Sequence, residues 1–336
     1  MKLAEIYLRS KSKVVCATFC GSFFGGVKTF MKPGKAYLSY LLTLIAISLA
    51  TPLNGAAQVR DFLSLDVPGA SLTRPLDVND SGVIVGRYDD ANGTHGFVLN
   101  QGVFTPIDFP GAVFSSALGI NELGQIVGTF QDGDAVYHGF VMWRGVFHQI
   151  DFPGSIDTQC HGINKQGQIV GRYHDFYTPA AGGTKDHEHG FLLSDDRFTS
   201  VDFPDSVTTD AWKITDSGDI VGDWSSNGNF YVHGYILHAG EFTSFDFPDS
   251  RLTASRKINT SGQMIGIYQS KLLNGGTSSP GREHGFVLVN GSYSGFDFPG
   301  SALTDGIAID NAGLIVGEYI DSNGKQHGYT AGLNQR

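Results

Sequence analysis

Histidine and aspartate recur at one distance along this chain of 336 residues. His95/Asp108, His138/Asp151, His189/Asp202, His233/Asp246 and His284/Asp297 each stand 13 residues apart. An imidazole facing a carboxylate is half of an acid–base device and a familiar beginning of a metal site. Repetition argues against both. One active site needs one pair, whereas equal copies fit a structural hydrogen bond made once per unit. The chain contains no G-x-S-x-G, phosphate-binding glycine loop or C-x-x-C.

Other residues able to do chemistry gather between positions 174 and 257. Asp186-His187-Glu188-His189 has the composition of a metal site. His189, however, belongs to the repeated pairs, and His187 is expected on the opposite face of the strand, so no metal is expected. His174, Asp175, Tyr177 and Lys185 lie in the same stretch. Further on come Trp212, Asp223 and Trp224, then Arg256 and Lys257. Aromatic platforms beside polar groups suit a sugar or a peptide. An acidic pair such as Asp210 and Asp223 would favour catalysis if it converged with shifted pKa values. The Asp-Ser-Asn-Gly at 321–324 and the Asp-Ala-Asn-Gly at 90–93 look like calcium-loop fragments but lack the later bidentate Glu. Turn chemistry explains them.

The elements that would position these residues are hairpins. In the copy running from His284 to Pro299, the midpoint is Asn290-Gly291, which makes a two-residue type I′ turn. Gln101-Gly102, Arg144-Gly145 and Ala239-Gly240 hold the same place. Such a turn sets His opposite Asp at a non-hydrogen-bonded pair, where side chains lie closest. Phe286 and Tyr293 share a face with His284, while Val287, Val289 and Phe296 take the other, so the hairpin is covered on both sides. A second hairpin precedes each of these. Its copies run from Val78-Asn79, Ile120-Asn121, Ile163-Asn164, Ile214-Thr215, Ile258-Asn259 and Ile309-Asp310. A polar residue followed three positions later by Gly suits a type I turn with a left-handed glycine. Each unit therefore holds four short antiparallel strands, a to d.

A period near 43 residues with four strands per unit predicts an all-β fold, a six-bladed β-propeller of four-stranded antiparallel blades spanning 58–336. Asp66-Val67-Pro68 ends a d strand that precedes any a strand. His327-Gly328-Tyr329, at the other end, lacks a following D-F-P. Joining the two closes the last blade with the N-terminal strand, pairs His327 with Asp66 and removes exposed edges. The Gly-Ile-Asn-x-x-Gly-Gln-Ile-Val-Gly unit followed by His-Gly-Phe resembles the bacterial extracellular HAF repeat over about residues 61 to 333. Gly replaces the family's Ala throughout, and D-F-P-G stands where the family often has Leu-Gly-Gly. The resemblance implies a secreted bacterial protein and carries over no catalytic residue.

Function in repeat proteins tends to sit where regularity fails. Successive H-G motifs are 43, 51, 44, 51 and 43 residues apart. The long intervals enlarge the b–c loops of units three and five, which flank unit four with its two tryptophans. A ligand is therefore expected on the b–c face over units three to five.

Residues 1–57 read as a signal peptide, with Lys32 and Lys35, an apolar run from Tyr37 to Ala50, and Gly55-Ala56-Ala57 as the cleavage site. Met31 would serve as an alternative start. This segment carries a net +6, leaving the remainder at −16 against −10 for the whole chain. So acidic a body is a poor partner for nucleic acid. Cys16 and Cys20 leave with the segment, so Cys160 has no disulfide partner. The expected product is a secreted or periplasmic monomer that does not span a membrane and needs no cofactor. The leading expectation is a non-catalytic binding scaffold for a glycan or protein partner. The alternatives are a propeller hydrolase or lyase acting on extracellular polysaccharide, and a structural envelope protein.

Overall fold

The computed structural model describes residues 57–177, 185–226, 231–270 and 282–334. The expected signal peptide lies outside the described residues, apart from Ala57. Within them the chain is all-β. β1 (Gln58–Leu65) is followed by β2 (Leu72–Val78), β3 (Ile84–Asp90), β4 (Gly93–Asn100) and β5 (Val103–Ile107), which form one antiparallel unit. The pattern repeats in β6 (Phe114–Ile120), β7 (Ile126–Gln131), β8 (Tyr137–Trp143) and β9 (Val146–Ile150). It repeats again in β10 (Asp157–Ile163), β11 (Ile169–Tyr177), β12 (Lys185–Ser194) and β13 (Arg197–Val201). Next come β14 (Thr208–Ile214), β15 (Ile220–Ser225), β16 (His233–His238) and β17 (Glu241–Phe245). The following unit is β18 (Ser250–Ile258), β19 (Met264–Ser270), β20 (Glu283–Val289) and β21 (Ser292–Phe296). The last contains only β22 (Leu303–Ile309), β23 (Leu314–Ile320) and β24 (Gln326–Asn334) in sequence, and β1 returns to pair antiparallel with β24 as its fourth strand.

Turn chemistry explains the repeat. Asn290 and Gly291 both take positive φ, at 50° and 76°, as a type I′ turn requires. In the first hairpin of each unit the side chain at the Asn place, which is Thr215 in the fourth unit and Asp310 in the sixth, accepts from its own turn. Asn121 Oδ1 takes the amides of Leu123 and Gln125 at 3.0 and 2.9 Å, which secures the loop before β7. The same Asn then donates to the neighbouring unit, with Asn121 Nδ2 lying 2.9 Å from the carbonyl of Asn164.

Stacked rings join the units. Each of these D-F-P phenylalanines lies flat on the aromatic residue two places after the glycine of the second strand (Ile-Val-Gly, or Met-Ile-Gly in the fifth unit) in the next unit: Phe152 on Tyr173 at 3.6 Å, Phe247 on Tyr268 at 3.7 Å, Phe298 on Tyr319 at 3.7 Å. Buried aliphatic residues fill the space beneath, such as Val85, Ala117, Ile120 and Ile126 between the first two units. The first and last units also meet. The Asn311 amide donates to Asp80 Oδ1 at 2.9 Å. A Cβ on Gly328 would come within 2.6 Å of both the Leu65 carbonyl and the Pro75 ring, so only glycine fits between β1 and β2.

Candidate functional site

Each inner strand begins near the b–c loops and ends at the Asn turn, and its side chains alternate between the unit's core and the centre of the molecule. Residues from β2, β6, β14, β18 and β22 line one central cavity of about 120 Å³. Its floor is ionic. Asp77 is buried and accepts from Lys213 Nζ at 3.1 Å and Lys257 Nζ at 2.9 Å, so three units meet at one carboxylate. The Ile120 and Val78 amides complete its shell at 3.0 and 2.9 Å. Burial opposes ionisation of Asp77, but the two ammonium groups outweigh it and hold the carboxyl below the usual range. The floor stands between this cavity and a second one among the Asn turns, which Asp77, Lys213 and Lys257 also line.

Above this floor a cation and two rings are stacked. The Trp212 indole is sandwiched between His161, with centroids 4.4 Å apart, and the Arg256 guanidinium at 4.0 Å. Its Nε1 donates to Asp223 Oδ2 at 2.7 Å. Both indole faces are therefore covered, and Trp212 offers no platform to a ligand. Trp224 is likewise internal, lying on Phe203 at 4.0 Å with His233 on its other side at 4.8 Å. It holds the place that Tyr173 and Tyr268 hold in their own units.

One layer higher, like charges face each other across the first two strands of three units. Arg74 is the register partner of Arg87, Asp210 of Asp223, and Asp305 of Glu318. Directly opposed like charges destabilise a sheet, and here each pair must be compensated from outside. Glu318 reaches Arg74 and accepts from Gln326. Arg172 bridges Asp210 Oδ2 at 3.4 Å and Glu188 Oε2 at 3.0 Å. His161 Nδ1 lies 2.9 Å from Asp210 Oδ1, though out of line for a hydrogen bond. Burial holds the His161 ring below the ordinary imidazole value. Burial also opposes the charge on Asp210, but His161 and Arg172 outweigh it and keep that carboxyl below the usual range. For its partner Asp223 burial wins. Reinforced by the charge of Asp210, it pushes the carboxyl up to about 7 against the pull of Arg256 and the Trp212 N–H. Burial and the neighbouring Glu318 raise Asp305 well above a normal carboxylate.

The remaining expected residues fall into two groups. The repeated pairs are in contact: Nδ1 to carboxylate distances are 3.0 Å for His95–Asp108, 2.8 Å for His138–Asp151, His189–Asp202 and His284–Asp297, 2.9 Å for His233–Asp246 and 3.0 Å for His327–Asp66. Each of these histidines also stacks on an aromatic ring, as His327 does on Tyr319 at 5.0 Å. On the hairpin of β11 and β12, His174 bonds Asp157 at 2.8 Å and approaches Glu188 at 3.3 Å. The opposite-face expectation for His187 and His189 is corrected. Residues two apart share a strand face, and the two rings meet at 5.7 Å. With Asp175 they bring three ligand-type atoms within 4.8 Å of one another. The Asp175–His189 contact at 3.5 Å nevertheless has counterparts in His95–Asp90 and His138–Asp132, at 3.5 and 3.3 Å. The side chains of Tyr177, Lys185 and Asp186 lie outside the described residues, as do 178–184 and 271–281. The Asp of both calcium-like fragments is occupied by its own turn. Asp321 Oδ1 takes two amides at 2.8 Å, and Asp90 Oδ1 takes that of Asn92 at 2.6 Å.

Sequence reading singled out Asp210, Asp223, Arg256 and Lys257 but passed over Arg74, Arg87, Ser116, Asp305 and Glu318. Their signal lies in the columns of the repeat. One place in the first strand reads Arg74, Ser116, Gln159, Asp210, Ala254, Asp305, while the place before it is always Thr or Ser.

No protein-family model and no curated protein matches the chain. Among solved structures, the β-propeller domain of the Trilobed protease from Pyrococcus furiosus is similar with a TM-score of 0.50 at 11% identity, over 80% of this chain and 84% of that one. An Aleuria aurantia lectin in complex with alpha-methyl-L-fucoside gives 0.48 at 11% identity, covering 81% and 96%. A streptogramin B lyase gives 0.46 at 12%, covering 83% and 98%. At these identities the likeness concerns the fold alone, which is that of a β-propeller.

Proposed function

We propose that the chain is a six-bladed propeller of the HAF-repeat type, closed by β1, and acts outside the cell as a non-catalytic binding module. Its ligand enters the central cavity from the b–c side. The observation carrying this reading is the layer of opposed like charges, Arg74/Arg87, Asp210/Asp223 and Asp305/Glu318. None of the three pairs belongs to the ring stacks that join the blades, and Arg74 and Arg87 line the cavity itself. A glycan and cell-wall binding screen of residues 58–336 tests it. Binding that Arg256→Ala weakens at least tenfold is expected, because a hydrogen bond to a charged group contributes about 1.5–3 kcal/mol. Binding that maps to the Asn-turn face, or an empty screen, overturns it.

A second reading, a hydrolase or lyase of extracellular polysaccharide, is favoured by one observation. Asp210 and Asp223 are cross-strand partners whose surroundings push their carboxyls in opposite directions. Below about 7 Asp223 keeps a proton to donate while Asp210 stays ionised, so turnover should fall as pH rises through about 7. Turnover that survives Asp223→Asn eliminates this reading.

A further inference from the structure

Residues around the central cavity carry donors without a partner. Buried polar groups almost always find partners, yet the buried Nε of Arg74, Nε of Arg87, Nη1 of Arg256 and hydroxyl of Ser116 have no hydrogen bond within the chain, and all four residues line the cavity. Arg74 reaches Glu318, and Arg256 stands 3.6 Å from Asp223. Arg87 has no carboxylate within ion-pair distance among the described residues; its one close neighbour of note is the Phe114 ring at 5.7 Å. It also faces Arg74 across the ladder, a repulsive arrangement. Of the five cations around this cavity and its floor, Arg74, Lys213, Arg256 and Lys257 each reach a carboxylate of the chain, and Arg87 reaches none among the described residues.

The missing partner is an acceptor carrying negative charge. Guanidinium groups match the planar fork of a carboxylate. Leu76, Leu118 and Ile307 add apolar surface to the lining, and the cavity of about 120 Å³ accepts one ring-sized unit. The Ser116 hydroxyl on the same lining can accept a hydroxyl hydrogen, which a bare inorganic ion does not have. We infer that this cavity binds the carboxylate of an acidic sugar unit, with Arg87 as the primary anchor and Arg74, Arg256 and Ser116 completing the shell. The inference rests on the proposed binding function and names its substrate class.

The purified protein is titrated with D-glucuronate, D-galacturonate, D-glucose and inorganic sulfate, by calorimetry and by thermal shift. A uronate should bind at least tenfold more tightly than glucose and raise Tm. Arg87→Met should abolish the uronate response while leaving ligand-free Tm unchanged or higher, because it removes the repulsion with Arg74. Ser116→Ala, a smaller change, should weaken uronate binding without loss of fold. Equal binding of glucose and uronate, wild-type uronate affinity in Arg87→Met, a Tm drop in that variant without ligand, or sulfate binding as tightly as uronate each overturns the inference. Failure of all four probes also overturns it. Neutral glycan binding that ignores Arg87→Met would leave the binding-module reading standing and remove only the acidic-sugar assignment.

Discussion

His174 shows how one side chain can carry a pH signature. Its Nδ1 bonds Asp157 and its Nε2 approaches Glu188, and these two contacts raise the imidazole from 6.5 to about 9 despite partial burial. A raised histidine contributes stability that is complete below about 6.5 and is lost as pH rises through about 9. After discounting for solvent screening at this partly open site, the contribution is about 1–2 kcal/mol. His174→Gln should therefore be less stable than the parent by that amount at pH 6 and indistinguishable from it at pH 10. Urea denaturation at the two pH values checks this. A gap of the same size at both would mean that the charged imidazole is not its source.

At the scale of elements, β1 decides whether the last unit has four strands or three. It pairs with β24 from Gln58↔Asn334 to Leu65↔Gly328, with a bulge between Arg60 and Leu63. From it Phe62 packs against Phe296, Phe298 and Tyr329, with ring centroids 5.6–6.2 Å apart. Removing residues 58–69 exposes the edge of β24 and strips that cluster. The loss should be at least about 3 kcal/mol, the lower range for deleting one packed Phe, or about 5 °C in Tm for a domain of this size. Aggregation through the bare edge should accompany it. Calorimetry with light scattering measures both, and a truncation that melts with the parent would show that closure contributes nothing.

On the scale of the whole molecule, the Asp77 floor ties together units distant in sequence. Lys213 lies 136 residues from Asp77 and Lys257 lies 180. Lys213 also donates to the carbonyls of Leu118 at 2.7 Å and His161 at 2.9 Å, which brings in two further units. Asp77→Ala leaves two ammonium groups with no carboxylate, and breaking a buried pair in this way costs about 3–5 kcal/mol. Replacing all three side chains together, Asp77→Leu with Lys213→Met and Lys257→Met, should recover much of that loss. Chemical denaturation of the single and triple variants reads the difference. A single variant as stable as the parent would mean that the floor plays no part in holding the ring.

The strand pattern, the turns and the His–Asp contacts were legible in the sequence because they are local or repeat at a fixed interval. Asn290-Gly291 dictates its turn through backbone preference alone, and a turn of known length determines which residues face each other. The return of β1 to β24 was also legible, since Asp66-Val67-Pro68 is a copy displaced from its unit. The central site was not. Arg87 looks like an ordinary surface residue after Ile-Val-Gly, and only its meeting with Arg74, Arg256 and Ser116 from three units gives it meaning. The covered faces of Trp212 were equally hidden, because His161 and Arg256 reach it from neighbouring units and not from its own. Contacts within a repeat follow from spacing. Contacts across the ring axis depend on how the units are rotated against one another, and that angle is set by packing of the whole.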